Sequence, residues 1–356
     1  MLRLMIATFL TLALALAAAC DDSTGPETAV EVTAMTRNIY VGANIDLLLA
    51  ASAQEIPALA AELWQDIADT DFAARAAALA DEIAAADPHL VGLQEVSLFR
   101  IQSPGDFLAG NPEAASDTAL DHLTVLLNEL AAHGVSYLPV AVSTNFDVEV
   151  PMETATGLDD IRLTDHDVLL VRSDVAVANV EERNFTTNLQ APLGGDISQL
   201  LTVYRGWTAV DATIGGATVR FVNTHLEPPE YVPQVQASQA LELRTELEAT
   251  DLPIILVGDL NSAADGSSTE TYADFLAAGY GDAWAVAGSG AGHTCCHAVD
   301  LMNPTPDLMK RIDYVLYRGV VETMAVDVVG DEVADITPGG LWPSDHAGVV
   351  ATLTVR

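Results

Sequence analysis

The sequence predicts an α/β fold in which mixed β-sheets pack on each other with helices outside. Three observations point there. Short apolar, β-rich runs alternate with Ala/Leu-rich runs of helical periodicity. A Gly-Gly pair between two strand-like runs demands antiparallel neighbours as well as the pairs that helical crossovers join. No linker interrupts the chain after residue 30, so the elements share one layered unit.

Val30 to Tyr40 alternates and is rich in β-formers, which predicts the first strand. Pro57 to Ala68 and Phe72 to Ala86 predict helices. Pro57 suits a first helical turn, where its missing N–H costs nothing. Pro88 lies just past the second helix, since proline cannot continue one. Leu90 to Leu93 reads as a short buried strand, and Asp117 to Ala132 as a helix closed by Gly134. Val168 to Arg172, Thr202 to Ala212 and Thr218 to Asn223 read as strands, the last two joined by the turn Ile214-Gly215-Gly216-Ala217. Gln234 to Leu247 is helical, Ile254 to Val257 a fully buried strand, and Asp313 to Tyr317 and Gly348 to Thr354 the last strands. Gln102 to Ser116 and Asn184 to Asp196 are expected as long surface loops.

Half of the 356 residues are hydrophobic, enough for a sizeable core. The N-terminus stands apart. Arg3 precedes an apolar run from Leu4 to Ala18, and small residues Ala17 to Ala19 precede Cys20. This pattern predicts an export signal. Its ending resembles a bacterial lipobox, although Leu16 sits one place earlier than the usual leucine. Cys20 is therefore expected to carry a lipid anchor at the membrane, on a periplasmic or cell-surface lipoprotein. An ordinary signal peptide and a secreted protein are the alternative. The expected organisation is a signal over 1–20, a flexible tether over 21–29 and one domain over 30–356. Nothing in the sequence suggests more than a monomer.

There are 51 acidic residues against 14 basic ones, a formal net charge of −37, and Lys310 is the single lysine. Such a surface repels polyanions. Proteins that grip nucleic acid draw most of their affinity from neutralised phosphates, so long nucleic acid is a disfavoured partner. Cys295 and Cys296 are adjacent and cannot staple distant parts of the fold. A vicinal disulfide and free thiols both fit. A metal cluster with His293 and His297 ranks below both.

The chemistry sits at strand ends, where a rigid scaffold presents reactive groups to a shared cleft. Asn38, Gln94-Glu95, Asn223-Thr224-His225 and Asp259-Leu260-Asn261 follow predicted strands, while Asp345-His346 precedes the last. Singly, each has a plain structural explanation. Gly258-Asp259-Leu260-Asn261, for one, reads equally well as a turn.

The ordered set is far more specific. Asn38, Leu93-Gln94-Glu95, Asn223-Thr224-His225-Leu226-Glu227, Gly258-Asp259-Leu260-Asn261, Arg311-Ile312-Asp313-Tyr314 and Ser344-Asp345-His346 closely resemble the endonuclease/exonuclease/phosphatase superfamily, from Thr33 to Leu353. The resemblance implies a DNase I-like four-layer α/β/β/α sandwich, two mixed β-sheets packed face to face with helices on the outer faces. It implies a metal site of Glu95, Asn38 and Asp345, whose oxygen donors suit Mg²⁺, with Mn²⁺ a plausible substitute. It implies catalysis by His225, Asp259, Asn261, Asp313 and His346. In these roles Asp259 deprotonates the attacking water, Asn261 holds that water or a phosphoryl oxygen, and the histidines stabilise phosphate charge. Asp313 would fix the tautomer of His346 and raise its pKa.

Candidate substrate contacts are Asn145, Arg162, Asp167, Arg205 and Arg311, with Asp165 and Trp207 beside them, and Asn44 and Asp46 behind the first strand. A structural ion pair is the alternative for each arginine. The pattern Asn223 to Glu227 resembles secreted DNases, sphingomyelinases and inositol-phosphate enzymes more than abasic-site endonucleases. No convincing membrane-entering aromatic tip is visible, Tyr231 being the nearest candidate. The expected function is hydrolysis of a small-molecule or lipid phosphoester, most simply a phosphodiester, by direct water attack. An extracellular nuclease ranks second. A non-catalytic binding lipoprotein ranks last, because Glu95, Asp259 and His346 are intact.

Overall fold

The computed structural model describes residues 29–110, 112–230 and 232–356. The predicted export signal, Cys20, the tether up to residue 28 and Tyr231 lie outside the described residues.

Strand β1 (Val30–Asn38) leads into a single-turn helix α1 (Leu47–Ala50), helices α2 (Ile56–Asp69) and α3 (Phe72–Ala86), and strand β2 (Leu90–Gln94). Next come β3 (Leu98–Gln102), β4 (Asp117–Asp121), α4 (His122–Ala132) and a long hairpin of β5 (Tyr137–Thr154) and β6 (Gly157–Arg172). Strands β7 (Ala176–Asn184), β8 (Leu189–Leu193), β9 (Asp196–Val203), β10 (Gly206–Ile214) and β11 (Ala217–His225) follow. The last third holds α5 (Pro233–Leu247), β12 (Ile254–Asp259), α6 (Thr271–Ala277), β13 (Gly281–Asp282) and α7 (Ala283–Ala287). It ends with β14 (Asp313–Arg318), β15 (Val321–Val329) and β16 (Gly348–Val355).

The first sheet runs β15-β16-β1-β2-β6-β3-β4, with β5 also paired to β6. The second runs β13-β14-β12-β11-β10-β7, and β8 with β9 forms a separate ribbon. Both large sheets are mixed. The pairs β1·β2 and β11·β12 are parallel, and β1·β16, β2·β6, β12·β14 and β10·β11 are antiparallel.

Strand alternation sorts the apolar residues into layers. Ile255 and Val257 of β12 face inward, where they meet Val32 and Ala34 of β1 and Leu169 of β6 in the core between the sheets. Ile254 and Leu256 face outward against Leu243 of α5 and Phe275 of α6. Met35, Val91 and Leu170 of the first sheet face outward against Leu79 and Ile83 of α3 and Leu126 of α4. The result is the four-layer α/β/β/α sandwich. Strands buried on both faces read as unbroken apolar runs, which is why Ile254 to Val257 shows no alternation.

Local chemistry fixes the element ends. Asp71 caps α3 by accepting from the Ala74 N–H at 3.2 Å, and Asp121 caps α4 from Thr124 at 3.1 Å. Gly215 and Gly216 turn the β10–β11 hairpin at φ +56° and +95°, which side chains rarely adopt.

Some expectations are corrected. Asp117 to Asp121 is an edge strand on β3, and the helix begins only at His122, because Asp121 stays extended to serve as its cap. Thr202 to Ala212 is not one strand. It breaks at Tyr204–Arg205, ending β9 on the ribbon and starting β10 in the sheet. Asn184 to Asp196 is not all loop, since it contains β8.

Candidate active site

Register brings the strand ends together. Asn38 pairs with Gln94, the residue before Glu95, at the ends of parallel β1 and β2. His225 pairs with Asp259 at the ends of parallel β11 and β12, and Asp259 lies opposite Asp313 at the start of antiparallel β14. A glycine is required before Asp259: a Cβ on Gly258, at φ +143°, would run into the Thr224 carbonyl.

One side of the cleft is built on Glu95. Its Oε1 accepts from Asn38 Nδ2 at 2.9 Å and its Oε2 from the Val41 N–H at 2.9 Å. The Asn38 Oδ1 accepts from the Tyr40 N–H at 3.0 Å. Tyr40 and Glu95 both sit at φ +60° and Asn261 at +48°, left-handed backbone that side chains rarely adopt. Two buried guanidiniums hold it in place. Arg75 donates to the carbonyls of Ile39 (2.8 Å), Tyr40 (3.2 Å) and Pro343 (3.1 Å). Arg37 donates to the His346 carbonyl and pairs with Glu82 at 2.9 Å. Neither was a candidate from sequence. Each sits amid a strand or helix, with no motif to mark it.

On the other side, Asp259 faces both histidines. Its Oδ2 lies 3.6 Å from His225 Nε2 and 3.9 Å from His346 Nε2, while its Oδ1 accepts from the Asn261 N–H at 2.8 Å. The Nδ1 of His346 is hydrogen-bonded to Asp313 Oδ2 at 2.9 Å. Burial alone lowers the pKa of His346, but Asp313 and Asp345 carry it well above the ordinary value, so this ring is cationic. His225 goes the other way: burial and then Arg205 hold it well below, so it is neutral. Burial and the neighbouring Asp313 push Asp259 up to about 8. Burial raises Asp345 to about 6, with Glu95 adding to the effect and His346 opposing it.

The cleft has a volume of about 310 Å³, and Glu95, Asn145, Arg205, His225, Asn261 and Asp345 are among its lining residues. Asn145 occupies an irregularity in β5 between Thr144 and Phe146, which aims its Nδ2 at Asp165 Oδ2, 3.5 Å away. Burial and then Glu95 push Asp165 up to about 7. Asp167 is fully buried, 3.9 Å from His225 Nδ1, and burial with Asp165 beside it holds its carboxyl well above the usual carboxylate range. Arg205 lies 3.0 Å from His225 Nδ1 and 3.4 Å from Glu227. Burial lowers its pKa, yet Glu227 and Asp165 keep it above the ordinary value. Asn44 and Asp46 line the mouth.

Three candidates lie elsewhere. Arg162 pairs with Asp147 on the β5–β6 hairpin, Nε to Oδ1 at 2.7 Å, and does not line the cleft. Arg311 turns inward to Asp282 at 2.7 Å, over the rings of Tyr272 and Tyr314. Trp207 packs against Phe185 in the outer core. Each satisfies a partner that sequence order does not reveal.

Cys295 and Cys296 form a vicinal disulfide, and Cys296 Sγ lies 4.0 Å from His346 Nε2. The cluster with His293 and His297 is not assembled. His293 bonds the Leu308 carbonyl, and His297 stacks on Trp342 with ring centroids 4.0 Å apart.

The donors fit a hard divalent cation. Glu95, Asp345 and the Asn38 amide supply oxygens, and Glu95 adds to the burial that raises Asp345, a repulsion that a cation would neutralise. Asn38 would first have to turn its Oδ1 away from Tyr40.

Residues 63–346 match the model of the Endonuclease/Exonuclease/phosphatase family, and the chain belongs to that family. Family members are hydrolases acting on phosphoesters and generally depend on a divalent metal. The fold is shared with an endonuclease/exonuclease/phosphatase family protein from Bacteroides thetaiotaomicron, at 16% identity and TM-score 0.56 over 92% of this chain and 99% of that one. A family protein from Leptotrichia buccalis aligns at 15% identity and TM-score 0.55, over 90% and 99% of the two chains. A mannosyl-6-phosphatase from Bacteroides thetaiotaomicron aligns at 15% and 0.54, over 90% and 99%. No curated protein matches the chain.

Proposed function

We propose that this chain is an exported, divalent-metal-dependent phosphodiesterase of a small or lipid phosphoester. The carrying observation is the arrangement of Asp259 against His346, with His346 held by Asp313 at 2.9 Å. A buried base and a cationic donor 3.9 Å apart are what attack by water on a phosphate requires.

Asp259 takes a proton from water as the water oxygen bonds to phosphorus. Its raised pKa makes it a stronger base than an ordinary carboxylate once it is ionised, as pH rises through about 8. The P–O ester bond breaks on the opposite side. His346, cationic with Nδ1 committed to Asp313, presents Nε2 to a phosphoryl oxygen, and the leaving oxygen takes its proton from solvent. Neutral His225 orients Asp259, and Arg205 meets a further phosphoryl oxygen. Asn261, fixed to the Leu226 carbonyl at 2.9 Å, positions the water beside Asp259. Mg²⁺ or Mn²⁺, held by Glu95, Asn38 and Asp345, would supply charge neutralisation at phosphate.

One fold neighbour is a mannosyl-6-phosphatase, which supports a small phosphate ester as substrate. The nuclease reading has less support, because Arg205 is the only arginine lining the cleft among the described residues. The intact Asp259–His346–Asp313 set argues against a purely binding protein.

The test is turnover of bis-p-nitrophenyl phosphate with Mg²⁺ and with EDTA, by wild type and Asp259→Ala. Metal-dependent turnover should fall at least about a hundredfold in the variant. Turnover that survives EDTA, or that the variant retains, would sink the assignment.

A further inference from the structure

The cleft does not end at the reaction centre. Away from Glu95 and Asp259 its wall turns apolar, with Leu193 and Leu201 on the β8–β9 ribbon facing Ile45, Leu48, Phe146 and Val148. Those last four residues also line a second hollow of about 40 Å³, which runs on between α2, β3 and the β5–β6 hairpin. Its remaining wall includes Trp64, Phe99 and Leu163, and the lining is apolar but for the indole N–H of Trp64.

This slot is partly open: Trp64 and Phe146 on its wall are half-buried, while Phe99, Val148 and Leu163 beneath them are buried. The segment above it is more exposed still. Ile45, Leu48 and Leu49 are only half-buried, Leu47 is 48% exposed, and α1 buries none of its residues. A contiguous apolar patch facing solvent costs free energy, and beside a reaction centre it marks where part of a ligand lies. Its occupant lies beside the reacting phosphate, because the slot adjoins the cleft and four residues line both. It must also be uncharged. The slot offers no charged side chain, and the indole N–H of Trp64 is the single side-chain donor on its wall, too little for a second phosphate or a sugar, whose unpartnered burial is unfavourable.

We infer that the slot bounded by Ile45, Leu48, Phe146 and Val148 receives a hydrocarbon arm of the substrate, which is a phosphoester joining a charged phosphate to an alkyl or acyl chain. The inference deepens the phosphodiesterase reading and names its substrate class. The phosphate sits at Glu95, His346 and Arg205, and the chain leaves it past Leu48 toward Trp64. Each methylene that enters the slot should raise affinity on the order of threefold to fourfold, until the slot is full. Trp64 is the built-in reporter, because it lines the slot and does not line the cleft that holds the catalytic candidates.

The experiment has two arms on the same Mg²⁺-loaded protein. The first measures tryptophan emission during titration with methyl, butyl and hexyl phosphate. Hexyl phosphate should bind at least tenfold more tightly than methyl phosphate and shift the emission, and Trp64→Phe should abolish the shift. The second measures kcat/KM for methyl, butyl and hexyl p-nitrophenyl phosphodiesters. The hexyl-to-methyl ratio should exceed ten in wild type and collapse toward one in Leu48→Gln. Should that variant misfold, Ile45→Asn addresses the same wall. Turnover that ignores chain length, or equal binding of methyl and hexyl phosphate, overturns the slot and leaves the phosphodiesterase intact. Chain-dependent binding at Trp64 without turnover of any diester supports the slot and overturns the hydrolase reading. An emission shift that persists in Trp64→Phe places the chain elsewhere and overturns the slot.

Discussion

His225 and His346 flank the same carboxylate, at 3.6 and 3.9 Å from Asp259 Oδ2, yet they differ in charge. The cause is what lies behind each ring: Asp313 behind His346, and Arg205 at 3.0 Å from His225. Sequence identified both histidines but could not tell them apart, because Arg205 lies twenty positions from one and Asp313 thirty-three from the other. A third histidine tests the same reasoning in the fold itself. His297 is 5% exposed and stacks on Trp342, and its Nδ1 faces Asn303 Nδ2 at 3.0 Å, which makes Nδ1 the acceptor. Protonation there would set donor against donor. Burial and then the nearby Arg37 depress its pKa from 6.5 to about 4. The folded state therefore disfavours the charged ring. The neutral ring's stabilisation is fully present above 6.5 and is lost as pH falls toward about 4, by about 3 kcal/mol in all. His122 and His225 are depressed too, so the measurement is a difference. Urea midpoints should fall less steeply between pH 7 and 4.5 in His297→Phe, which keeps a stacked ring and cannot titrate. Parallel declines in the two proteins would show that His297 is not the acid-sensitive group.

At the scale of elements, the most readable parts were those whose pattern is local. Helix Phe72–Ala86 and strand Ile254–Asp259 are buried against whatever lies beside them, so apolar period and length suffice. The β5–β6 hairpin was largely unread because Asp147, Glu149, Asp160 and Asp165 interrupt its alternation. Their partners are not legible from sequence order: Asp147 takes Arg162 across the hairpin, Glu149 the Ala115 N–H, Asp160 the Phe107 N–H and Asp165 the Ser97 hydroxyl. The segment from Thr294 to His297 has no regular structure, yet it ties together the two turns that carry Asp313 and His346. Cys295 pairs with Lys310 and His346, and the His297 N–H donates to the Asp345 carbonyl at 2.8 Å. Thr294 Oγ1, fully buried, accepts from the N–H groups of Ile312 and Asp313, each at 3.2 Å. Replacing that oxygen by a methyl group leaves two buried donors unpaired just where Asp313 begins its strand. Thr294→Val should lose about 2 kcal/mol or more of stability in urea melts. It should also lower kcat more than it raises KM, because Asp313 no longer holds His346 firmly. Thr294→Ser keeps the oxygen and should restore both. A valine variant with unchanged kcat would mean that Asp313 is placed by its strand alone.

For the whole molecule, fold and charge give different kinds of information. The ordered motifs made the four-layer sandwich readable, since each strand end needs the next beside it for the chemistry to assemble. They left the substrate open, because the apolar slot is built by α1, α2, β3 and the β5–β6 hairpin, none of which carries a motif. The net charge of −37 bears on substrate in another way, through approach. A phosphodiester anion must cross a negative field before it meets Arg205 or a divalent cation in the cleft. At about 0.01 M salt the field extends roughly 30 Å from the surface, and at 0.1 M about 10 Å. Contacts inside the cleft are partly buried and are screened much less. Added salt should therefore help the substrate in more than it weakens its grip. Raising NaCl from 10 to 300 mM at saturating Mg²⁺ should increase kcat/KM for a singly charged diester several-fold, mostly through KM. A zwitterionic diester of similar size should respond less, because its approach is not opposed. Enzymes that bind duplex DNA through surface cations lose affinity over the same range. A fall in kcat/KM for the singly charged diester would mean that local cations outweigh the net charge, and would return weight to a nuclease.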